Sequence, residues 1–83
     1  MPKSTFTQEY AVFIRRLREV REAAGLTQEQ LAQRLGQGQS FVSKYERGER
    51  RLDVVELSAV CQAIGISSVE FIQSLETRDI PQP

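Results

Sequence analysis

Helix start and stop signals set close together constrain this chain more than any other feature. Thr27 stands three residues ahead of Gln30, Asp53 three ahead of Glu56, and Ser67 three ahead of Glu70. In this pattern a short oxygen-bearing side chain accepts from a backbone N–H one turn on, and the third residue reaches back to the cap's own N–H. Glycines mark the opposite ends at Gly25, Gly36, Gly48 and Gly65, the residue favoured just past a helix C-terminus. A chain punctuated this often can form only short helices joined by short turns.

The apolar pattern between these marks agrees. Tyr10, Phe13, Ile14, Leu17, Val20 and Ala24 recur at steps of three and four, which predicts an amphipathic helix of about 15 residues with Thr7 as its cap. Leu31, Ala32 and Leu35 form the inner face of a second helix, and Gly36-Gln37-Gly38 is a tight turn into a third, from Gln39 to about Glu46. On that third helix Val42 faces inward, with Tyr45 as a further candidate. Gln39, Ser40, Ser43, Lys44 and Arg47 face outward. Leu57, Val60, Cys61 and Ile64 supply the stripe of a fourth helix, and Phe71, Ile72 and Leu75 that of a fifth. No run alternates with period two, so no strand is expected. The expectation is an all-α fold: one compact five-helix domain over residues 9–76, a flexible arm at 1–8 and a flexible tail at 77–83. The tail sequence Asp79-Ile80-Pro81-Gln82-Pro83 cannot continue a helix.

Composition removes several function classes. The 83 residues suit one domain. No apolar run approaches the ~20 residues of a membrane span, and the first ten residues lack the apolar stretch of a secretory signal. A single cysteine, Cys61, suits a reducing compartment; together these point to the cytoplasm. With no histidine and one cysteine, a zinc site and histidine acid–base catalysis are both out of reach. No nucleophile–base pair, metal cluster or phosphate loop is visible, so neither an enzyme nor a cofactor is expected. Cys61 reads as a small buried hydrophobe.

Net charge is zero, yet it is unevenly spread. Residues 1–33 carry five basic and four acidic side chains (+1), residues 34–51 five and two (+3), and residues 52–83 one and five (−4). A surface facing a polyanion would therefore be central, around Arg34, Lys44, Arg47, Arg50 and Arg51. Glu49 and Asp53 stand close enough in sequence to neutralise Arg50 and Arg51. Arg15, Arg16 and Arg18 read as a solvated face shared with Glu19 and Glu22.

The run Gly25-Leu-Thr-Gln-Glu-Gln-Leu-Ala-Gln-Arg-Leu-Gly36, followed by Ser40-Phe-Val-Ser-Lys-Tyr-Glu-Arg-Gly48, resembles the helix-turn-helix family of phage repressors and Cro, the XRE family. Leu52-Asp-Val-Val-Glu-Leu57 and Ala63-Ile-Gly-Ile-Ser67 are similar to that family's fourth helix and its junction with the fifth. The resemblance spans roughly residues 14–75 without insertion. It implies a lambda-repressor-like DNA-binding domain with the helix-turn-helix at helices two and three. It departs from the family at Gly38, where a serine or threonine usually caps helix three, and at Gln37, where an apolar residue is common. Glycine serves as a cap without a side-chain acceptor.

The resemblance assigns roles that chemistry supports. Gln39, Ser40, Ser43 and Lys44 are the base-reading candidates: glutamine can pair an adenine bidentately, serine is permissive, and Lys44 has the reach for a guanine or a phosphate. Gln28 lies in the first turn of helix two, where free N–H groups favour a phosphate; Arg47, Arg50 and Arg51 would bind backbone beyond the recognition helix. Arg21 and Glu46 are expected to form a partly buried structural ion pair. Phe41 reads as packing at the edge of the core, with contact to a thymine methyl or a sugar as the alternative. Val69, Phe71, Ile72 and Leu75 are more apolar surface than one terminal helix needs; either all of it closes the core, or it makes them candidates for a homodimer interface.

The function implied is a transcriptional regulator, a repressor, that binds a double-stranded DNA operator, with no small-molecule ligand and no membrane. A restriction-modification controller and an antitoxin are variants of that class. The competing class is a protein-interaction adaptor that keeps the fold without binding DNA.

Overall fold

A computed structural model describes residues 7–79. They form five helices: α1 (Gln8–Ala23), α2 (Gln28–Leu35), α3 (Gln39–Glu46), α4 (Val54–Ile64) and α5 (Ser68–Asp79). There is no strand among the described residues.

Capping decides where the helices begin. Thr7 Oγ1 accepts from Tyr10 N–H at 3.1 Å and starts α1. Thr27 and Gln30 form a reciprocal pair at α2, with N···O distances of 2.9 and 3.0 Å. Asp53 and Glu56 do the same at α4, at 3.0 and 2.7 Å, and Ser67 Oγ accepts from Glu70 N–H at α5. Only α3 starts on a residue without a side-chain acceptor, Gly38, at φ −72° and ψ 159°. Between α2 and α3 the chain must reverse within three residues, and Gly36 takes φ +69° to do so, a conformation that a Cβ disfavours.

The core takes residues from every helix. Leu17, Leu31, Val42, Tyr45, Val60 and Cys61 are completely buried, joined by Ile14, Ile64 and Phe71. α2 packs against α3 and α4, α1 against α3, and α5 against α4. One face of α3 is thus held between α1 and α2, and the other is left to solvent.

Helix five departs from expectation in two respects. It continues through Asp79, three residues into the segment 77–83 expected to be tail, because the first proline comes only at 81. Phe71 is not a surface residue: it is 4% exposed and meets Phe13 edge-on at 6.1 Å between ring centroids. Ile72 and Leu75 are half-buried against the same core, leaving Val69 as the exposed large hydrophobe of the four. Residues 1–6 of the expected arm and 80–83 of the expected tail lie outside the described residues.

Candidate nucleic-acid interface

The mount of α3 is built around one carboxylate. Arg21, in the last turn of α1, sends Nε to Glu46 Oε2 at 2.6 Å and Nη2 to Glu46 Oε1 at 3.1 Å. Its Nη1 donates to the carbonyl of Leu26 at 2.6 Å. The two side chains are 8% and 3% exposed. Hydrogen bonds to Glu46 hold the guanidinium's pKa above its ordinary value, in spite of burial. The planar fork matches the carboxylate oxygen for oxygen, a fit that lysine could not give.

Gln28 joins this cluster. The sequence places it on a phosphate; in the structure it is half-buried and its Nε2 donates to Glu46 Oε1 at 2.9 Å. A carboxylate removed from water needs donors on both oxygens, and Gln28 supplies the third. α1, α2 and α3 therefore meet at Glu46. The sequence shows a glutamine in the first turn of α2, but only the packing of α2 on α3 turns it inward.

The outer face of α3 is different. Gln39, Ser40 and Lys44 are exposed, and none makes a side-chain hydrogen bond or ion pair among the described residues. Ser43 is half-buried, its hydroxyl donating to the Ser40 carbonyl at 3.3 Å. Phe41 is half-buried and lies edge-on to Tyr45 at 5.6 Å. Tyr45 is completely buried, its hydroxyl without a hydrogen-bond partner among the described residues. Burial pushes the pKa of this phenol well up.

The three arginines after α3 are engaged. Arg47 Nε and Nη2 meet Glu49 Oε2 and Oε1 at 2.9 and 3.1 Å. Arg50 Nη1 and Nη2 meet Glu56 Oε1 and Oε2 at 3.1 and 2.7 Å, and its guanidinium lies 4.8 Å from the centre of the Phe41 ring. The Arg51 guanidinium lies 4.1 Å from the centre of the Tyr10 ring, and Leu52 N–H donates to the Tyr10 hydroxyl. The partners differ from those that proximity in sequence suggested. Glu49 takes Arg47, Glu56 takes Arg50, and Asp53 is occupied as the cap of α4. Glu56 stands six residues from Arg50 and becomes its neighbour only because α4 turns back beside the connector. On α1, Arg16 pairs with Glu19 and Arg18 with Glu22 along the helix surface. No group of residues suited to a metal ion occurs among the described residues.

Known proteins resemble this chain in sequence and fold. The helix-turn-helix family matches residues 17–71. A solved XRE-family-like protein from Pseudomonas syringae is 46% identical, with a TM-score of 0.82 over 86% of this chain and 87% of that one. The restriction-modification controller protein C.AhdI from Aeromonas hydrophila is 38% identical, with a TM-score of 0.68 over 78% of this chain and 99% of that one. The HTH-type transcriptional regulator y4dJ of Sinorhizobium fredii is 42% identical over 53 residues, 64% of this chain and 69% of its own length. With the helix-turn-helix of α2 and α3 in place and relatives that are transcriptional regulators, this chain belongs to the XRE family of helix-turn-helix DNA-binding proteins.

Proposed function

We propose that this protein is a cytoplasmic repressor that binds a double-stranded DNA operator sequence-specifically, as a homodimer, with α3 in the major groove. It acts by occupancy and catalyses no reaction. The observation that carries the reading is the division of α3 into two faces. Val42 and Tyr45 are completely buried and Glu46 is tied to α1 and α2, while Gln39, Ser40 and Lys44 project with their donors and acceptors uncommitted. A rigidly held helix with a polar outer row is what base edges in the major groove can read. Gln39, Ser40, Ser43 and Lys44 are the base readers, and Arg47, Arg50 and Arg51 the phosphate contacts. Gln28 acts on α3 through Glu46 and leaves the N–H groups of residues 28 and 29, ahead of the capped Gln30, for the DNA backbone.

Size favours the homodimer: one module this small seldom buries enough surface for tight specific binding, and a two-fold pair doubles it. Val69, 63% exposed on α5, with the half-buried Ile72 and Leu75, is the surface for that pairing. Selection of bound sequences from random duplex DNA should return a two-fold site with half-sites about 34–36 Å apart. Gln39→Ala should weaken that site more than random DNA. Failure to select any sequence that outbinds random DNA at low salt refutes the reading. Sedimentation at micromolar concentration should give the dimer mass; a clean monomer refutes the role of α5.

One observation favours the second reading, a protein-interaction adaptor. Arg47 and Arg50 already hold acidic partners. An empty DNA selection together with a captured protein partner would support it.

A further inference from the structure

Two exposed arginines beside α3 are held bidentately by acids whose negative charge helix capping does not require. We propose that Glu49 and Glu56 are built-in competitors for DNA phosphate: by holding Arg47 and Arg50 they keep affinity for DNA of any sequence low. The proposal rests on the DNA-binding reading of α3.

Glu49 sits at the wrong end of a helix. Gly48, at φ +77°, turns the chain so that Glu49 N–H donates to the Lys44 carbonyl at 2.9 Å. This places an acid at the C-terminus of α3, where the helix dipole disfavours negative charge. What the carboxylate gains there is Arg47, met with both oxygens at 2.9 and 3.1 Å. Hydrogen bonds from Arg47 hold the Glu49 carboxyl below its ordinary pKa, with Lys44 adding to the effect.

Glu56 does serve a helix end, since its Oε1 accepts from Asp53 N–H at 3.0 Å. That duty needs an acceptor and no charge: Gln30 performs it for α2 at 2.9 Å. The charge on Glu56 is what binds Arg50, at 2.7 and 3.1 Å. The two pairs bracket the recognition helix, one at its C-terminus and one against Phe41 in its first turn.

The Arg47–Glu49 pair is exposed, at 54% and 56% of the side chains, and the Arg50–Glu56 pair is partly so, with Arg50 at 42% and the half-buried Glu56 at 27%. Pairs this open are weak and exchangeable, so a phosphate can displace the carboxylate. The displaced acid then stays beside a polyanion. Sequence-independent binding is almost wholly electrostatic and bears this opposition most directly. Occupancy of a target then depends on Gln39, Ser40 and Lys44.

Conservative substitutions isolate the charge. Glu56→Gln keeps an acceptor for the α4 cap, as Gln30 does in α2, and Glu49→Gln alters only a turn. Binding of fluorescent random duplex DNA is measured against salt for the full chain and each variant. Each substitution should raise random-DNA affinity roughly three- to eightfold near 0.1 M salt and steepen the salt slope by up to about 0.9, the value for one phosphate gained. Glu70→Gln makes the same change in net charge on α5 and should leave that affinity within about twofold. Unchanged random-DNA affinity in both glutamine variants overturns the proposal, as does an equal gain in Glu70→Gln. If the chain prefers a selected site and the variants still gain nothing on random DNA, this inference fails and the DNA reading stands. If the variants gain on random DNA but no sequence is preferred, the inference stands and specific reading fails. If neither the chain nor its variants bind any DNA, both fail.

Discussion

Glu46→Leu and Arg21→Met, singly and together, test whether α3 is held by the ion pair or merely packed beside it. Glu46→Leu leaves the Arg21 guanidinium, 8% exposed as a side chain, with the Leu26 carbonyl at 2.6 Å and only the fringe of Glu22 at 3.9 Å. Arg21→Met leaves a carboxylate that is 3% exposed with Gln28 as its remaining donor. Stranding one partner of a buried pair costs ~3–5 kcal/mol. The cluster lies near the protein surface, so the lower end, about 3 kcal/mol for each single variant, applies. A domain of this length has roughly 4–12 kcal/mol in all, so the loss is large. At about 4–8 °C per kcal/mol for a chain this small, Tm should fall by ~12–24 °C. The double variant buries two apolar side chains and strands no charge. It should be no less stable than either single one, a coupling of about 3 kcal/mol. Urea unfolding followed by circular dichroism at fixed pH measures all four proteins. Additive losses in the double variant, or single losses below about 1 kcal/mol, would refute the view that the pair acts as a unit.

Gly38→Ser should stabilise the domain by roughly 0.3–1 kcal/mol. The backbone there is extended, no atom lies within 4 Å of an added Cβ, and the new hydroxyl could accept from the first turn of α3; a lower unfolding midpoint would show that the turn cannot take a side chain. Burial pushes the Cys61 thiol and the Tyr45 phenol up from their ordinary values. Both raised values mean that the folded state retains protons the unfolded chain would release, so stability is full below the unfolded thiol value of about 8.5 and declines above it, more steeply past about 10. Tyr45→Phe also removes a buried hydroxyl without a partner among the described residues, so it should unfold at higher denaturant near neutral pH and lose less stability at high pH. A Tyr45→Phe variant that unfolds earlier at neutral pH would mean that the hydroxyl has a partner in solution.

Much of the fold was legible because its signals are local. The reciprocal caps at Thr27 and Asp53, the hydroxyl half of the cap at Ser67 and the stops at Gly36 and Gly65 act within one turn, so they survive the move from chain to structure. The XRE-like spacing from Gly25 to Gly48 located the helix-turn-helix for the same reason, since α2, the turn and α3 are contiguous.

The remainder depended on what packs beside what, and periodicity cannot rank residues on one apolar face. Phe71 and Val69 both belong to the apolar surface of α5, yet Phe71 closes the core against Phe13 and Val69 faces solvent. Gln28 looked available to a phosphate until α3 placed Glu46 within 2.9 Å of it. The charge count gathered Arg34 with Lys44, Arg47, Arg50 and Arg51; Arg47 and Arg50 do lie beside α3, whereas Arg34 donates to the Ala63 carbonyl of α4 at 2.9 Å. The count could not show that Glu56 would be carried back to Arg50 by the turn into α4. Sequence by itself determined the helices, their order and the polar outer row of α3, because caps, glycines and the 3.6-residue period act at short range. Tertiary structure alone decided which of those polar groups remain uncommitted, because a donor's availability depends on acceptors brought to it from elsewhere in the chain.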